Sequence, residues 1–292
     1  MAADASPSCP GPVPDPKVPD IALPPGSCDA HCHVFGPADV FPYAEDRTFT
    51  PPDAPKEALR RLHDRLGLDR AVIVQSACHG TDHAALLDAL AAGEGRYRGT
   101  ALLRPSTPAG EVARLDAAGV CGVRLNFLPH LGGAPATEEL WAVVDLVRPF
   151  GWHVELHVAG DGIAEYAELV RSIPVPVVVD HMARVDLRAG LSTGPVLALL
   201  RLLDTGDVWV KLSGVDRVST EPAFDDGVAL ARTLARHAPE RVLWGTDFPH
   251  PNIHGPAPDD GRLVDLIGRI APEPELRHRL MVTNPATCFG FP

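Results

Sequence analysis

Two histidines one residue apart, His31 and His33, stand in the run CDAHCHVFGP (28–37) with Asp29 just ahead of them. On an extended strand alternate side chains share a face, so Asp29, His31 and His33 are expected on one side, with both imidazoles turned toward one ion. In a second run, WHVELHV (152–158), Trp152, Val154, Leu156 and Val158 alternate with His153, Glu155 and His157. That pattern directs the polar set to a barrel interior and the apolar set to a helix layer, and His157 comes last, nearest the mouth. Asp247 ends a third run, RVLWGTD (241–247). Imidazole suits Zn²⁺ and related ions, and a catalytic site keeps about three protein ligands plus an open position for water or substrate. His31, His33, His157 and Asp247 form such a set, for one divalent ion, Zn²⁺ or alternatively Mn²⁺.

Elements must bring these residues to one place. Eight segments read as strands, at 28–34, 70–76, 98–103, 120–126, 152–158, 175–181, 207–213 and 241–247. Ala/Leu/Arg-rich helical segments lie between them, near 56–66, 82–92, 109–118, 138–148, 162–172, 194–203 and 226–237, with two more near 260–270 and 273–281. Strand and helix in strict alternation predict βα units on a parallel sheet. Eight of them predict a (β/α)₈ (TIM) barrel, an α/β fold, and no GxGxxG or Walker loop argues for a doubly wound alternative. In such a barrel the chemistry sits where strands end. Those ends carry His31, His33, Arg124, Asn126, His157, Asp180, His181, Ser213 and Asp247, with Arg217 just beyond strand seven.

Composition narrows the classes. The chain of 292 residues is long enough for one such barrel, residues 27–292, preceded by a Pro-rich extension, 1–26, read as an extended arm or a disordered tail. A formal net charge of −12 argues against nucleic acid or an acidic membrane as partner. No apolar run is long enough to span a bilayer and no secretory signal is evident, so the expected location is the cytoplasm. The six cysteines fall in no CxxC pair, which fits reduced thiols. Oligomeric state is not encoded in any of these features.

Taken together, DAHCHVFGP, QSACHGTD (75–82), GVRLNF (122–127), GWHVELHV (151–158), VVVDHMAR (177–184), VKLSGVDR (210–217) and LWGTDFPHPN (243–252) resemble the amidohydrolase superfamily, and within it the 2-pyrone-4,6-dicarboxylate lactonase family. The likeness runs from about residue 25 to the C-terminus. It implies hydrolysis of an anionic lactone in aromatic-compound catabolism, with Asp247 activating water and His181 helping to polarise the lactone carbonyl. Arg124, Arg184 and Arg217 match arginines that bind the substrate's carboxylates. The 4-sulfomuconolactone hydrolase branch, which uses zinc, looks closer in one respect: the metal-free pyrone enzymes carry tyrosine where this chain has His157. They also carry arginine in place of His130 and tyrosine in place of Phe49, so the anion contacts differ. The strand-four lysine of two-metal members is absent, which implies a single ion. Related members with a similar ligand set are metal-dependent decarboxylases of aromatic or muconate-like acids, the alternative reading.

Some residues carry a weaker expectation. Ser76 and His79 follow strand two and can reach the substrate, as can His130 after strand four. His250 and His254 lie after strand eight, where His250, between Pro249 and Pro251, reads as shaping the loop. Cys32 should point to the helix layer, Trp152, Trp209 and Trp244 should be core, and Lys211, inside strand seven, reads as one half of an internal ion pair.

Overall fold

Short β-branched and aliphatic runs become strands, and each amphipathic segment after them packs back as a helix. In the computed structural model, which describes residues 8–253 and 255–291, eight strands pair in sequence order and in parallel. They are β1 (Cys28–Cys32), β2 (Arg70–Val74), β3 (Tyr97–Ala101), β4 (Val120–Asn126), β5 (His153–His157), β6 (Val177–Val179), β7 (Val208–Lys211) and β8 (Val242–Leu243). Backbone hydrogen bonds join the last strand region to the first: Ala30 N–H to Trp244 O, His33 N–H to Phe248 O and Asp247 N–H to His31 O, each at 2.8 Å. The sheet therefore closes into the expected (β/α)₈ barrel.

The helices are α1 (Lys56–Leu66), α2 (Ala84–Ala92), α3 (Ala109–Ala117), α4 (Thr137–Val147), α5 (Gly162–Glu165), α6 (Ala167–Ser172), α7 (Gly194–Leu203), α8 (Val215–Val218), α9 (Asp225–His237), α10 (Asp260–Ile270), α11 (Pro274–His278) and α12 (Asn284–Phe289). The short α8 and α12 were not expected, because a single helical turn leaves no readable periodicity. Between barrel and helices lies the main apolar core, which holds Trp152, Val154, Leu156 and Val158 of the β5 region on its outward face, as their alternation predicts. The bottom of the barrel interior is a separate plug of Cys28, Ala30, Val72, Val178, Trp209 and Leu243, closed by Phe289 and Phe291. Burying aliphatic and aromatic side chains there excludes water from below, at about 25 cal/mol per Å² of apolar area.

β1 departs from strict alternation. Asp29 pairs with Ala71 but Cys32 with Ile73, so three steps along β1 match two along β2. This bulge re-aims the side chains around it. Ala30 joins the interior plug and His31 also faces inward, whereas Asp29 is turned toward the helix layer. There its carboxylate accepts hydrogen bonds from Thr246 N–H (3.0 Å), Thr246 Oγ1 (2.6 Å) and His31 N–H (3.1 Å), and lies 3.2 Å from His63 Nε2 on α1. The expectation that Asp29 faces the mouth beside His31 and His33 is thus corrected. Cys32 does lie in the outer core.

The described part of the Pro-rich extension is strapped onto the barrel rather than free. Ser8 bridges to Thr50, the Lys17 N–H donates to the Asp259 carboxylate (3.0 Å), and Asp20 N–H donates to Asp265 (2.6 Å). The approach is close enough that a Cβ at Gly261 would fall 1.8 Å from the Lys17 carbonyl oxygen. Residues 1–7, His254 and Pro292 lie outside the described residues. Among the described residues no helix is long and apolar enough to cross a membrane.

Candidate active site

The strands end earlier than their apolar runs because the polar residues at their tips peel away into loops that converge at the mouth. After β6 the chain makes a left-handed turn, with φ of 50°, 52°, 53° and 45° at His181, Met182, Ala183 and Arg184. Asp247 is left-handed as well, at φ 64°. Non-glycine residues in this region cost of order 1–3 kcal/mol each, and such strain collects at functional sites. No glycine or asparagine pattern marks the turn, so the sequence carried no signal for it. Gly214 makes room for it, since a Cβ there would fall 3.1 Å from His181 Cβ and 3.2 Å from its ring nitrogen Nδ1.

Three imidazole Nε2 atoms surround one carboxylate oxygen. Asp247 Oδ1 lies 3.4 Å from His33, 3.7 Å from His31 and 3.8 Å from His181. All four side chains are almost fully buried. Among the described residues the donor atoms of His31, His33 and Asp247 lie within 4.8 Å of one another, close enough to share an ion. His33 Nδ1–H donates to Val74 O (2.8 Å), which leaves Nε2 a lone pair. His31 Nε2 is buried with no hydrogen-bond partner among the described residues. An orphaned buried nitrogen, a second oriented nitrogen and an ionised carboxylate fit a divalent cation. His157 is not part of that cluster. Its ring centroid is 5.7 Å from that of His181, and its Nδ1 faces Asn126 Oδ1 at 3.2 Å.

Burial and charge fix the protonation states. Burial alone would raise the Asp247 carboxyl, but the Arg217 guanidinium outweighs it and holds the group well below the usual carboxylate range. Burial lowers His31 and His157 well below ordinary imidazole, helped by Lys211 and Arg124 respectively, and brings His181 down to about 3. These three rings are therefore neutral at pH 7.

The arginines are not equivalent. Arg217, on α8, holds Asp247 Oδ2 through Nε and Nη2, each at 2.5 Å. Arg124 holds Asp180 Oδ2 through Nε (2.9 Å) and Nη2 (2.8 Å). Arg184 lines the same cavity, and among the described residues no carboxylate pairs with it. Burial and the nearby Arg217 lower its pKa. Below the mouth, Lys211 bonds Glu155 Oε2 at 2.6 Å and lies 3.3 Å from Asp180 Oδ1, the internal ion pair expected of it. With Arg124 this makes two cations against two carboxylates, all buried, so each charge is compensated.

The innermost cavity is about 30 Å³ and is lined by His33, Ser76, Arg124, His130, His157, His181, Arg184, Arg217 and Asp247, along with Phe49. Arg184, Arg217 and Asn252 also line a neighbouring, outer cavity of about 650 Å³ that reaches Phe224 and Arg262. His79 is a correction. It does not line the cavity, because Nδ1–H donates to Pro42 O (3.2 Å) and Nε2 accepts from Gly36 N–H (3.4 Å), so both nitrogens brace loops. His250 pairs with Asp260 (3.0 Å), in keeping with a loop-shaping role. The roles of Asp180 and Glu155 as partners of Arg124 and Lys211 were missed, since nothing local links residues on different strands.

Comparisons with known proteins agree with this arrangement. The amidohydrolase family model matches residues 28–291. The 2-pyrone-4,6-dicarboxylate hydrolase of Comamonas testosteroni is 40% identical over 281 residues, covering 93% of this chain and 92% of that protein. The 4-sulfomuconolactone hydrolase of Rhizobium radiobacter is 39% identical over 288 residues, covering 97% and 96%. An apo crystal structure from Agrobacterium tumefaciens superposes with a TM-score of 0.84 at 32% identity, covering 94% of this chain and 99% of that one. An eight-stranded parallel barrel with His31, His33 and Asp247 gathered at its mouth is what the matched family model spans, and the chain belongs to the amidohydrolase family.

Proposed function

We propose that this protein hydrolyses an unsaturated lactone bearing carboxylate or sulfonate groups, the class for which its 2-pyrone-4,6-dicarboxylate and 4-sulfomuconolactone relatives are named, in aromatic-compound catabolism. The observation that carries this reading is the convergence of His31, His33 and His181 on Asp247 Oδ1, beside Arg184, which has no carboxylate partner among the described residues. An inner cavity of about 30 Å³ has room for one attacking water, and the outer 650 Å³ falls in the range of small-molecule sites.

One divalent ion, Zn²⁺ or alternatively Mn²⁺, would be held by His31, His33 and Asp247, while His157, the further ligand that the sequence suggests, lies outside this group and lines the substrate cavity instead. When bound it supplies Lewis acidity, lowering the pKa of water and polarising a carbonyl. Asp247 Oδ1 accepts the water proton as the oxygen adds to the lactone carbonyl. His181 Nδ1 and Ser213 Oγ lie 2.9 Å apart, and in this mechanism the hydroxyl is the donor, so that His181 carries its proton on Nε2 and donates it to the developing oxyanion. The ring C–O bond then breaks, and Asp247 returns its proton to the departing oxygen, giving the open acid. Arg184 grips the substrate anion in the planar fork that suits carboxylate and sulfonate alike, and Arg124, Arg217, His130 and Ser76 complete the lining. The working unit is the barrel, residues 27–292, with the described part of the preceding extension, residues 8–26, as its strap. Six free thiols support a reducing, cytoplasmic setting.

The test is a screen of unsaturated acidic lactones with product mass and CO₂ both measured. Addition of one water without CO₂ is expected, and Asp247→Asn should lower turnover by roughly 10²–10⁴ while the circular dichroism is unchanged. CO₂ release would replace the lactonase reading with a decarboxylase.

A further inference from the structure

Lys211 lies fully buried inside the barrel beneath the mouth, and its ammonium is 3.0 Å from His31 Nδ1, the ring nitrogen away from the reacting space. An ammonium has three protons and no lone pair, so in that contact it can only donate. The Glu155 carboxylate forms an ion pair with the same ammonium, Oε2 lying 2.6 Å from it. Asp180 Oδ1, the competing acceptor for a proton on His31 Nδ1, stands at 3.2 Å without the alignment of a hydrogen bond, and it faces the Lys211 ammonium as well, at 3.3 Å.

We infer that Lys211 is a positioning residue that fixes the tautomer of His31: by donating to Nδ1 it puts the single imidazole proton on Nε2, facing Asp247. His31 stays neutral throughout. With its proton there, Nε2 is a hydrogen-bond donor toward the reacting space and has no lone pair for a cation. A cation at Nε2 requires the other tautomer, in which Nδ1–H turns to Asp180 Oδ1 and Lys211 gives up its contact. The hydrogen bond from Lys211 and a metal ion therefore compete for His31, and Lys211 decides between a donor and a ligand at that position. This deepens the hydrolytic reading, but the placement of the proton does not depend on which substrate is turned over.

The experiment uses metal-free, full-length protein labelled with ¹⁵N in its histidines, with His31 identified by the signals lost in His31→Gln. Long-range ¹⁵N–¹H correlation is expected to show the pyridine-like nitrogen at Nδ1 in the wild type and at Nε2 in Lys211→Met, with the wild-type pattern restored in Lys211→Arg. A wild-type spectrum with the pyridine-like nitrogen at Nε2 would overturn the inference by itself, even if the variants fail to fold. In parallel, Zn²⁺ competition against a chromophoric chelator should show Lys211→Met binding roughly tenfold more tightly than wild type, the range expected of partners behind a ligand. Unchanged or weaker binding by a folded Lys211→Met would count against it, since a purely structural lysine predicts that result. If lactones are not substrates yet the tautomer is as stated, the hydrolytic reading fails and this one stands.

Discussion

Arg217 grips one oxygen of Asp247, Oδ2, through both Nε and Nη2 at 2.5 Å, and leaves the other, Oδ1, facing three histidine nitrogens. The same contact that orients the carboxylate also weakens it as a base, because the guanidinium stabilises the charged form. A substrate anion that draws on Arg217 would return basicity to Asp247 at the moment it is needed, which couples binding to proton transfer.

Arg217→Gln is therefore expected to shift the acid limb of the kcat/KM profile to higher pH. The sign follows from the cause: Arg217 holds the Asp247 pKa down, so its removal lets that pKa rise, and protonation disables the base at a higher pH than before. A pH–rate series on both proteins checks this. An acid limb left in place would mean that Asp247 is not the base.

Arg184 has no carboxylate partner among the described residues, so its guanidinium is open to a substrate anion. Arg184→Met should raise KM by about 10- to 100-fold, corresponding to a charged hydrogen bond of about 1.5–3 kcal/mol, with a smaller effect on kcat. Steady-state kinetics on an acidic lactone and on its methyl ester would separate this role, since the ester should lose little.

His157 sits outside the group formed by His31, His33 and Asp247. His157→Gln should accordingly keep its metal content, measured by elemental analysis after dialysis, while KM changes. Loss of the ion would bring His157 into the ligand set that its position at the end of β5 suggests.

Stability should fall as pH drops below neutrality, in two stages. Burial lowers His181 to about 3 and His31 well below its ordinary value, so between pH 6.5 and about 3 the unfolded chain binds protons that the folded one refuses. Each such group costs about 1.4 kcal/mol per pH unit in that window. Asp180 and Asp247 are instead held low, against the effect of burial, by Arg124 and Arg217 respectively; their contribution is present above the usual carboxylate pKa and is lost as pH falls through the lowered values. Thermal unfolding from pH 8 to pH 4 should show Tm already declining near pH 6, where surface carboxylates alone would hold it constant.

Much of the molecule is written locally. Eight β-branched runs with helices between them determine the barrel, and alternation along β5 determines that Glu155 and His157 face inward while Val154 and Leu156 face out. The residue types at the strand tips determine that the chemistry is imidazole, carboxylate and guanidinium. Tertiary structure decided the rest, because it depends on register between strands far apart in the chain. The bulge in β1 sent Asp29 to Thr246 and His63, against the alternation rule. The left-handed turn after β6 delivered His181 and Arg184 to the mouth without any glycine to announce it. Pairing gave Arg124 to Asp180 and Arg217 to Asp247, and left Arg184 with no carboxylate partner among the described residues. It also set Lys211 against His31 across 180 residues, a contact no local pattern encodes. Propensity and periodicity act over a few residues, whereas the partner of a buried charge is chosen by closure of the whole barrel.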